Sequence, residues 1–462
     1  MKYFLVLVIA FSSISFASTW QVGPTREFKT PSSISTKVAS GDVVYIDSAD
    51  YRGDVCTWSA DNLSLRGFNG RPRLFADGKS AGGKAIWVIK GNNTTVSNIE
   101  FLECKVPDKN GAGIRQEGTN LLVQICVFRR NEMGILAGNN ILSTITVEYC
   151  EFDHCGYGDG FSHNIYINHI YQFNFRFNYS HHAFIGHECK SRAHRNFIIG
   201  NRLSNEDGQA SREIDLPNGG LSVIMDNVIH QGLNTENTNI IGYGMEGLQD
   251  SLTNELYVVN NTIINQRPAG SFIQYQTGTT FLKSYNNIFA GAGTIISGSG
   301  ATIDSASNYQ NTSIALVGFV NVSLLDVHLT STSPVRGLYT YPGYTSNLFK
   351  LTQEITYLHP HSIEFIDTIN SERCAGAYPI VKITNSVVEE TQNYSITYHN
   401  NILYINSETN TSSAFLLYSI LGQFIQTIAV NGRTEVLLDC LPEGVYYVTT
   451  TSGNKQQYLF IR

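Results

Sequence analysis

Apolar and polar positions alternate along most of the chain in bursts too brief for helices. A small polar residue, usually Asn, recurs beside β-branched or aromatic residues. It appears as Asn98-Ile99, Cys126-Val127, Cys150-Glu151, Asn178-Tyr179, Asn201-Arg202, Asn227-Val228, Asn261-Thr262, Asn287-Ile288 and Asn308-Tyr309. Their separations, roughly 21 to 34 residues, are those of a solenoid repeat. Ahead of most of these sites lies a second short strand: Ile114-Arg115-Gln116, Ile135-Leu136-Ala137, Ile165-Tyr166-Ile167, His187-Glu188-Cys189, Ile214-Asp215-Leu216 and Ile273-Gln274-Tyr275. Two strand sites per repeat, stacked coil on coil, predict an all-β chain built on a right-handed parallel β-helix. An inward Asn amide at each bend can bond its equivalent one coil away, about 4.8 Å along the axis. These positions therefore predict a polar ladder, with Cys126 and Cys150 filling the same slot in two coils.

The pattern also suggests boundaries. Lys2, the apolar run Phe4 to Phe11 and Ser15-Phe16-Ala17 predict a signal peptide over residues 1–17. The β-helix is expected over 18–378, with Phe28, Ile34, Val38 and Val43-Val44-Tyr45-Ile46 forming a front cap and the stretch from Ser331 to Tyr378 closing the back. Residues 379–395 lose the repeat and read as a linker. From Ile396 to Arg462 six short alternating strands divided by turns predict a small β-sandwich.

Composition narrows the function classes. Charged residues are 15% of the chain and the net charge is -7, without the concentrated basic face that nucleic acid requires. No stretch reaches the roughly 20 apolar residues of a membrane span. The eight cysteines, at 56, 104, 126, 150, 155, 189, 374 and 440, show no metal-type spacing and read mostly as core thiols, with a Cys150–Cys155 or Cys56–Cys104 bridge left open.

In so sparsely charged a chain, one cluster stands out. If Ile167, Cys189 and Leu216 point inward, Tyr166, Glu188 and Asp215 form an outer row on three consecutive coils, with Asn168 and Lys190 beside them and Arg192, Arg212 and Glu213 close by. Three uses of such a row compete. In β-elimination, Arg192 or Arg212 neutralises a substrate carboxylate, Lys190 is the base, and Tyr166 or His163 protonates the leaving oxygen, with Asn168, Glu188, Asp215 and Asn218 contacting substrate. In hydrolysis, Glu188 and Asp215 are paired carboxylates. In a non-catalytic polysaccharide binder or adhesin, Tyr171, Phe173, Phe175 and Phe177 make the contacts. His181-His182, with His187 nearby, read as surface histidines, and no metal site is expected.

Two resemblances add to this. Leu417-Tyr418-Ser419-Ile420-Leu421-Gly422-Gln423, Leu441-Pro442-Glu443-Gly444-Val445-Tyr446-Tyr447-Val448 and a basic last residue resemble the C-terminal sorting domain of type IX secretion in Gram-negative bacteria. That implies export by the type IX machinery to the medium or cell surface. The strand Glu188-Cys189-Lys190-Ser191, leading to Asn196 and Asn201, is similar to the Lys-Ser strand of β-helix polysaccharide lyases of the chondroitinase B and alginate lyase type. This implies an acidic polysaccharide as partner, Lys190 as base and Arg212, one coil later, as its helper. That family carries calcium, but its carboxylate ligands precede the lysine where this chain has Ala183 and Ile185, so the cofactor is left unassigned.

Overall fold

A computed structural model describes residues 17–248, 251–366, 371–381, 394–399, 402–407, 413–419, 424–438, 445–450 and 457–461. The expected leader, most of the expected linker, Leu441 to Gly444, Ile420 to Gln423 and Arg462 lie outside the described residues. The chain divides into two compact units, residues 1–382 and 383–462.

The first unit is a right-handed parallel β-helix. Three sheets of 12, 10 and 11 strands run parallel along it, and after the first pair, Thr19–Val22 with Val43–Asp47, every ladder joins strands three apart in the chain. Each coil therefore contributes three strands, not the two that the periodicity suggests. The third, such as Arg195–Ile199 or Leu221–Met225, packs apolar residues on both faces, so it carries no clean alternation to read. Inside, equivalent residues stack at the coil spacing. Phe101, Phe128 and Phe152 lie face to face with ring centroids 5.1 and 4.8 Å apart.

The ladder forms at the bend between the twelve- and eleven-stranded sheets. The main-chain N of Asn178 donates to Asn201 Oδ1 at 2.9 Å, Asn201 to Asn227 at 2.8 Å, Asn227 to Asn261 at 3.0 Å, Asn261 to Asn287 at 2.9 Å and Asn287 to Asn308 at 2.9 Å. Cys126 and Cys150 occupy the slot below, where Cys126 N donates to Cys150 Sγ. Asn98 does not belong. It has φ +55° and sits one residue early, at the left-handed position that precedes the slot in each coil from here to Ser307, and Ile99 fills the slot itself. Asn tolerates that conformation better than most residues, which is why a pattern search confuses the two positions. The seven described cysteines are all free and buried, so neither bridge forms.

Replacing Asn227 by Leu is expected to destabilise the β-helix by about 1 to 3 kcal/mol. Asn227 Oδ1 takes two bonds from Asn201 and Nδ2 gives one to Ile198 O, so the Asn201 main-chain N–H loses its acceptor while Asn201 Nδ2 keeps only its bond to Phe175 O. An unfolding midpoint equal to wild type would contradict it.

The segment expected to close the back runs instead along the flank. Val335, Cys374, Ala375 and Ala377 pack with Val228, Ile264, Ile288 and Ala290 on the outside of the eleven-stranded sheet. Phe349 and Leu351 cover Phe197, Val223, Met225 and Val259 on the outside of the twelve-stranded sheet. The outer face of the ten-stranded sheet holds the charged row.

In the second unit, a three-stranded and a four-stranded antiparallel sheet share a core of Leu403, Ile405, Phe415, Leu417, Ile428, Val430, Tyr446 and Val448. The described strands number seven and not the six expected, because the first stretch holds two, Tyr394–His399 and Ile402–Ser407, paired antiparallel. Asn400-Asn401 between them has the composition of a tight turn.

Candidate functional site

The ten-stranded sheet fixes which side chains face out. Ile165, Ile167, Cys189, Ile214 and Leu216 are fully buried inside the coils. Period-2 alternation then sends Tyr166, Lys190 and Asp215 outward, and the ladder pairs Tyr166 with Lys190, Lys190 with Asp215 and Asp215 with Gly242. The row thus differs from the expected one by one residue. Lys190 is a member, and Glu188, the equivalent of Asn164 and Glu213 on the adjacent coils, turns into the interior.

Glu188 lies wholly inside, where it accepts from Ala183 N at 2.9 Å, Ser180 Oγ at 3.1 Å and Asn164 Nδ2. Burial pushes its carboxyl up to about 8 despite those bonds. Glu213 is equally buried, neither of its oxygens has a hydrogen-bond partner, and burial, with Glu188 nearby, raises it well above the carboxylate range. Neither can touch a polysaccharide, so the Glu188–Asp215 pair required for hydrolysis does not exist.

Around the outer row the cations and carboxylates interlock. Asp215 is clamped from both sides, with Lys190 Nζ 3.3 Å from Oδ2 and Arg212 Nη1 donating to Oδ1 at 3.0 Å. Gly242 leaves the space that Arg212 fills, since a Cβ there would lie 2.8 Å from Arg212 Nε. Arg192 Nε donates to the Tyr166 hydroxyl at 2.8 Å, and its other nitrogens reach Asn218 Oδ1 and Glu246 Oε2. Glu246 also holds Lys190 Nζ at 3.1 Å. Burial pushes the Glu246 carboxyl up, but Arg192 and Lys190 hold it below its ordinary value. Lys190, Arg192, Arg212, Tyr166, Asp215 and Asn218 are therefore brought together as expected.

Other expected participants are not. His163 is buried beneath Tyr166, its ring edge-on at 5.6 Å, with Nδ1 accepting from His187 N at 3.0 Å. Burial holds its imidazole well below the usual value, so it supports the tyrosine and cannot meet a leaving group at the surface. Asn168 bonds locally, its Oδ1 accepting from His169 N. Phe173, Phe175 and Phe177 are buried and only Tyr171 of that set is exposed, which removes the aromatic contact surface expected of a binder. Ala183 and Ile185 supply no side-chain oxygen, so the residues present do not fit a calcium site of the lyase type.

Two residues escape sequence reasoning. Glu246 comes from the loop after the next strand of the sheet, and no spacing rule links it to Lys190. His187 lies under the row, its Nδ1 accepting from Arg212 N at 3.0 Å and its Nε2 3.4 Å from Asp215 Oδ2. Expected among the surface histidines near His181-His182, it is buried instead.

No family model and no curated protein matches the chain. Among solved structures, a pectin methylesterase variant in complex with a hexasaccharide is similar over 69% of this chain and 94% of that one, at 11% identity and a TM-score of 0.28. A likeness that weak carries no argument about activity, and the parallel β-helix rests on the three sheets themselves.

Proposed function

We propose that the outer face of the ten-stranded sheet binds an acidic, uronate-containing polysaccharide and cleaves it by β-elimination. The observation that carries this reading is a single row in which Lys190 stands between Tyr166 and Asp215, flanked by Arg192 and Arg212. A carbon acid beside a carboxylate ionises readily only where fixed cations meet the developing charge. Arg192 and Arg212 are placed to do so. In its uncharged form Lys190 Nζ takes the proton alpha to the substrate carboxylate, the carbon–oxygen bond beta to that carboxylate breaks, and a carbon–carbon double bond forms. The leaving oxygen takes the phenolic proton of Tyr166, whose oxygen already accepts from Arg192, so the negative charge left there has a cation beside it. Asp215 orients Lys190 and Arg212 together.

Hydrolysis remains the second reading because Asp215 and Glu246 both reach the Lys190 ammonium, at 3.3 and 3.1 Å. It is weaker, since each Asp215 oxygen is already engaged by a cation. To separate the two, the protein is incubated with uronate-containing and neutral polysaccharides while ultraviolet absorbance and reducing ends are followed. Absorbance rising with reducing ends on a uronate polymer is expected. Reducing ends alone would indicate hydrolysis, and neither would leave a binder.

The export reading belongs with this one. The leader over 1–17 and the tail over 396–462 are proposed as addresses for passage through the inner and outer membranes, the second by type IX secretion. The tail strands bury their own core, and no helix among the described residues is long and apolar enough to cross a membrane. Deleting 396–462 is expected to leave the β-helix folded and to stop it short of the cell surface. Normal export of the truncated chain would sink the idea.

A further inference from the structure

On the eleven-stranded sheet, away from the charged row, a second cluster has no part in the proposed reaction. Asp153 ends the strand Glu151–Asp153, and His181 ends the next, Tyr179–His181, as its ladder partner. His182 follows at a left-handed turn position, φ +53°. Three ligand-type atoms converge here. His181 Nδ1 and His182 Nδ1 lie 2.7 Å apart, and Asp153 Oδ1 is 3.5 Å from the first and 3.7 Å from the second.

The surroundings fix which atoms are bare. Nε2 of His181 faces Glu151 Oε1 at 3.4 Å, and Nε2 of His182 faces Asp207 Oδ1 at 3.1 Å. The tautomers that keep each N–H for a carboxylate turn both Nδ1 lone pairs inward. Arg129 bonds Asp153 Oδ2 at 2.8 Å and Glu151 Oε1 at 2.7 Å, while Asp153 Oδ1 faces the two histidines and is also bonded by His154 Nδ1. In those tautomers the two Nδ1 lone pairs face each other and Asp153 Oδ1, with His154 Nδ1 also bonded to that oxygen, and a cation at their centre removes the repulsion between the lone pairs. A carboxylate behind the far nitrogen of a ligating histidine is the usual support of a metal-bound imidazole.

We infer that Asp153, His181 and His182 bind a divalent first-row transition ion, with Zn²⁺ the best fit. Two imidazole nitrogens and one carboxylate oxygen suit Zn²⁺, whereas Ca²⁺ and Mg²⁺ call for a cage of oxygens. Ligand bonds of about 2.0 to 2.2 Å place tetrahedral donors roughly 3.2 to 3.6 Å apart. The two distances to Asp153 lie close to that range, and the histidine pair reaches it by opening roughly half an ångström. His182 also lines a cavity of about 430 Å³ with His154, Lys105 and Arg130, so the ion would be open to solvent or to an anion as a further ligand.

The test is to load the full chain with Zn²⁺, dialyse it against metal-free buffer, and measure bound metal by elemental analysis, with affinity from competition against a chromophoric chelator. About one ion per chain is expected, with Co²⁺ in its place giving visible d–d absorption. His181→Ala with His182→Ala should abolish retention, and Asp207→Asn should weaken binding at least ten-fold. Asp207 is almost fully exposed, so this variant should fold even if the double alanine variant does not. Zn²⁺ lost on dialysis, or unchanged affinity in Asp207→Asn together with full retention in Asp153→Asn, would overturn the site and leave a shared proton between the two histidines.

Discussion

Lys190→Ala is expected to lower kcat/KM on the cleaved uronate polymer by about 10² to 10⁴, the usual worth of a positioned general base. The loss should fall on kcat, because the ammonium lies at the floor of the row, only 8% exposed, while binding rests on the arginines around it. Arg212→Ala should cost about 10² to 10³, the scale of one lost charge stabiliser. It also frees Asp215 Oδ1 from its guanidinium, so Lys190 and Arg212 should prove non-additive. Both variants should keep wild-type melting behaviour, since the row lies outside the packed coils. Near-normal turnover in Lys190→Ala would remove the lysine from the chemistry and shift weight to Asp215 and Glu246. The same assay on Tyr166→Phe should show the loss grow as the leaving group becomes poorer.

Stability should fall as pH rises from about 4.5 to about 8, because Glu188 and Glu213 stay protonated inside the folded coils and ionise once the chain unfolds. For Glu188 the folded value is about 8 against an ordinary 4.5. A raised folded value means that the native state binds more protons across that window, so unfolding becomes easier with each unit. At about 1.4 kcal/mol per unit the window amounts to on the order of 5 kcal/mol for this group alone. Buried His163 and His187 act in the opposite sense, since their depressed values cost stability as pH drops below about 6.5. Glu188→Gln isolates the carboxyl from them. Its stability relative to wild type should improve steadily from pH 5 to pH 8 in denaturant unfolding, and Glu213→Gln should do the same. Parallel curves for variant and wild type would show that the carboxyl is paired or solvated.

The same residues mark the limit of what a linear pattern can carry. The coil repeat, six of the ladder asparagines, the strand Ile165–Ile167 and the gathering of Lys190, Arg192, Arg212 and Asp215 within a short stretch are local facts, set by alternation and by turn chemistry. A parallel β-helix suits such inference because each coil packs on its neighbours much as the last one did.

What alternation alone leaves open is where each strand starts and which residues pair across coils. The loops between strands vary in length, and a slip of one residue exchanges the inner and outer faces. The expected strand His187-Glu188-Cys189 is in fact Cys189–Ser191, so Glu188 goes inside and Lys190 outside. Cys189 keeps its expected inward side, and what the stacking of Ile165, Cys189 and Ile214 into one core column decides is where the strand starts, which leaves Glu188 at the bend before it and turned inside. Contacts across coils are equally invisible along the chain. Glu246 reaches Lys190 from a loop 56 residues on, and Asp153 meets His181 from the preceding coil, 28 residues back. The sequence by itself determined the repeat, the polar ladder and the candidate cations. The tertiary structure decided which of them face outward and which carboxylates and histidines meet, because side chains far apart in the chain are brought together only by the fixed spacing of stacked coils.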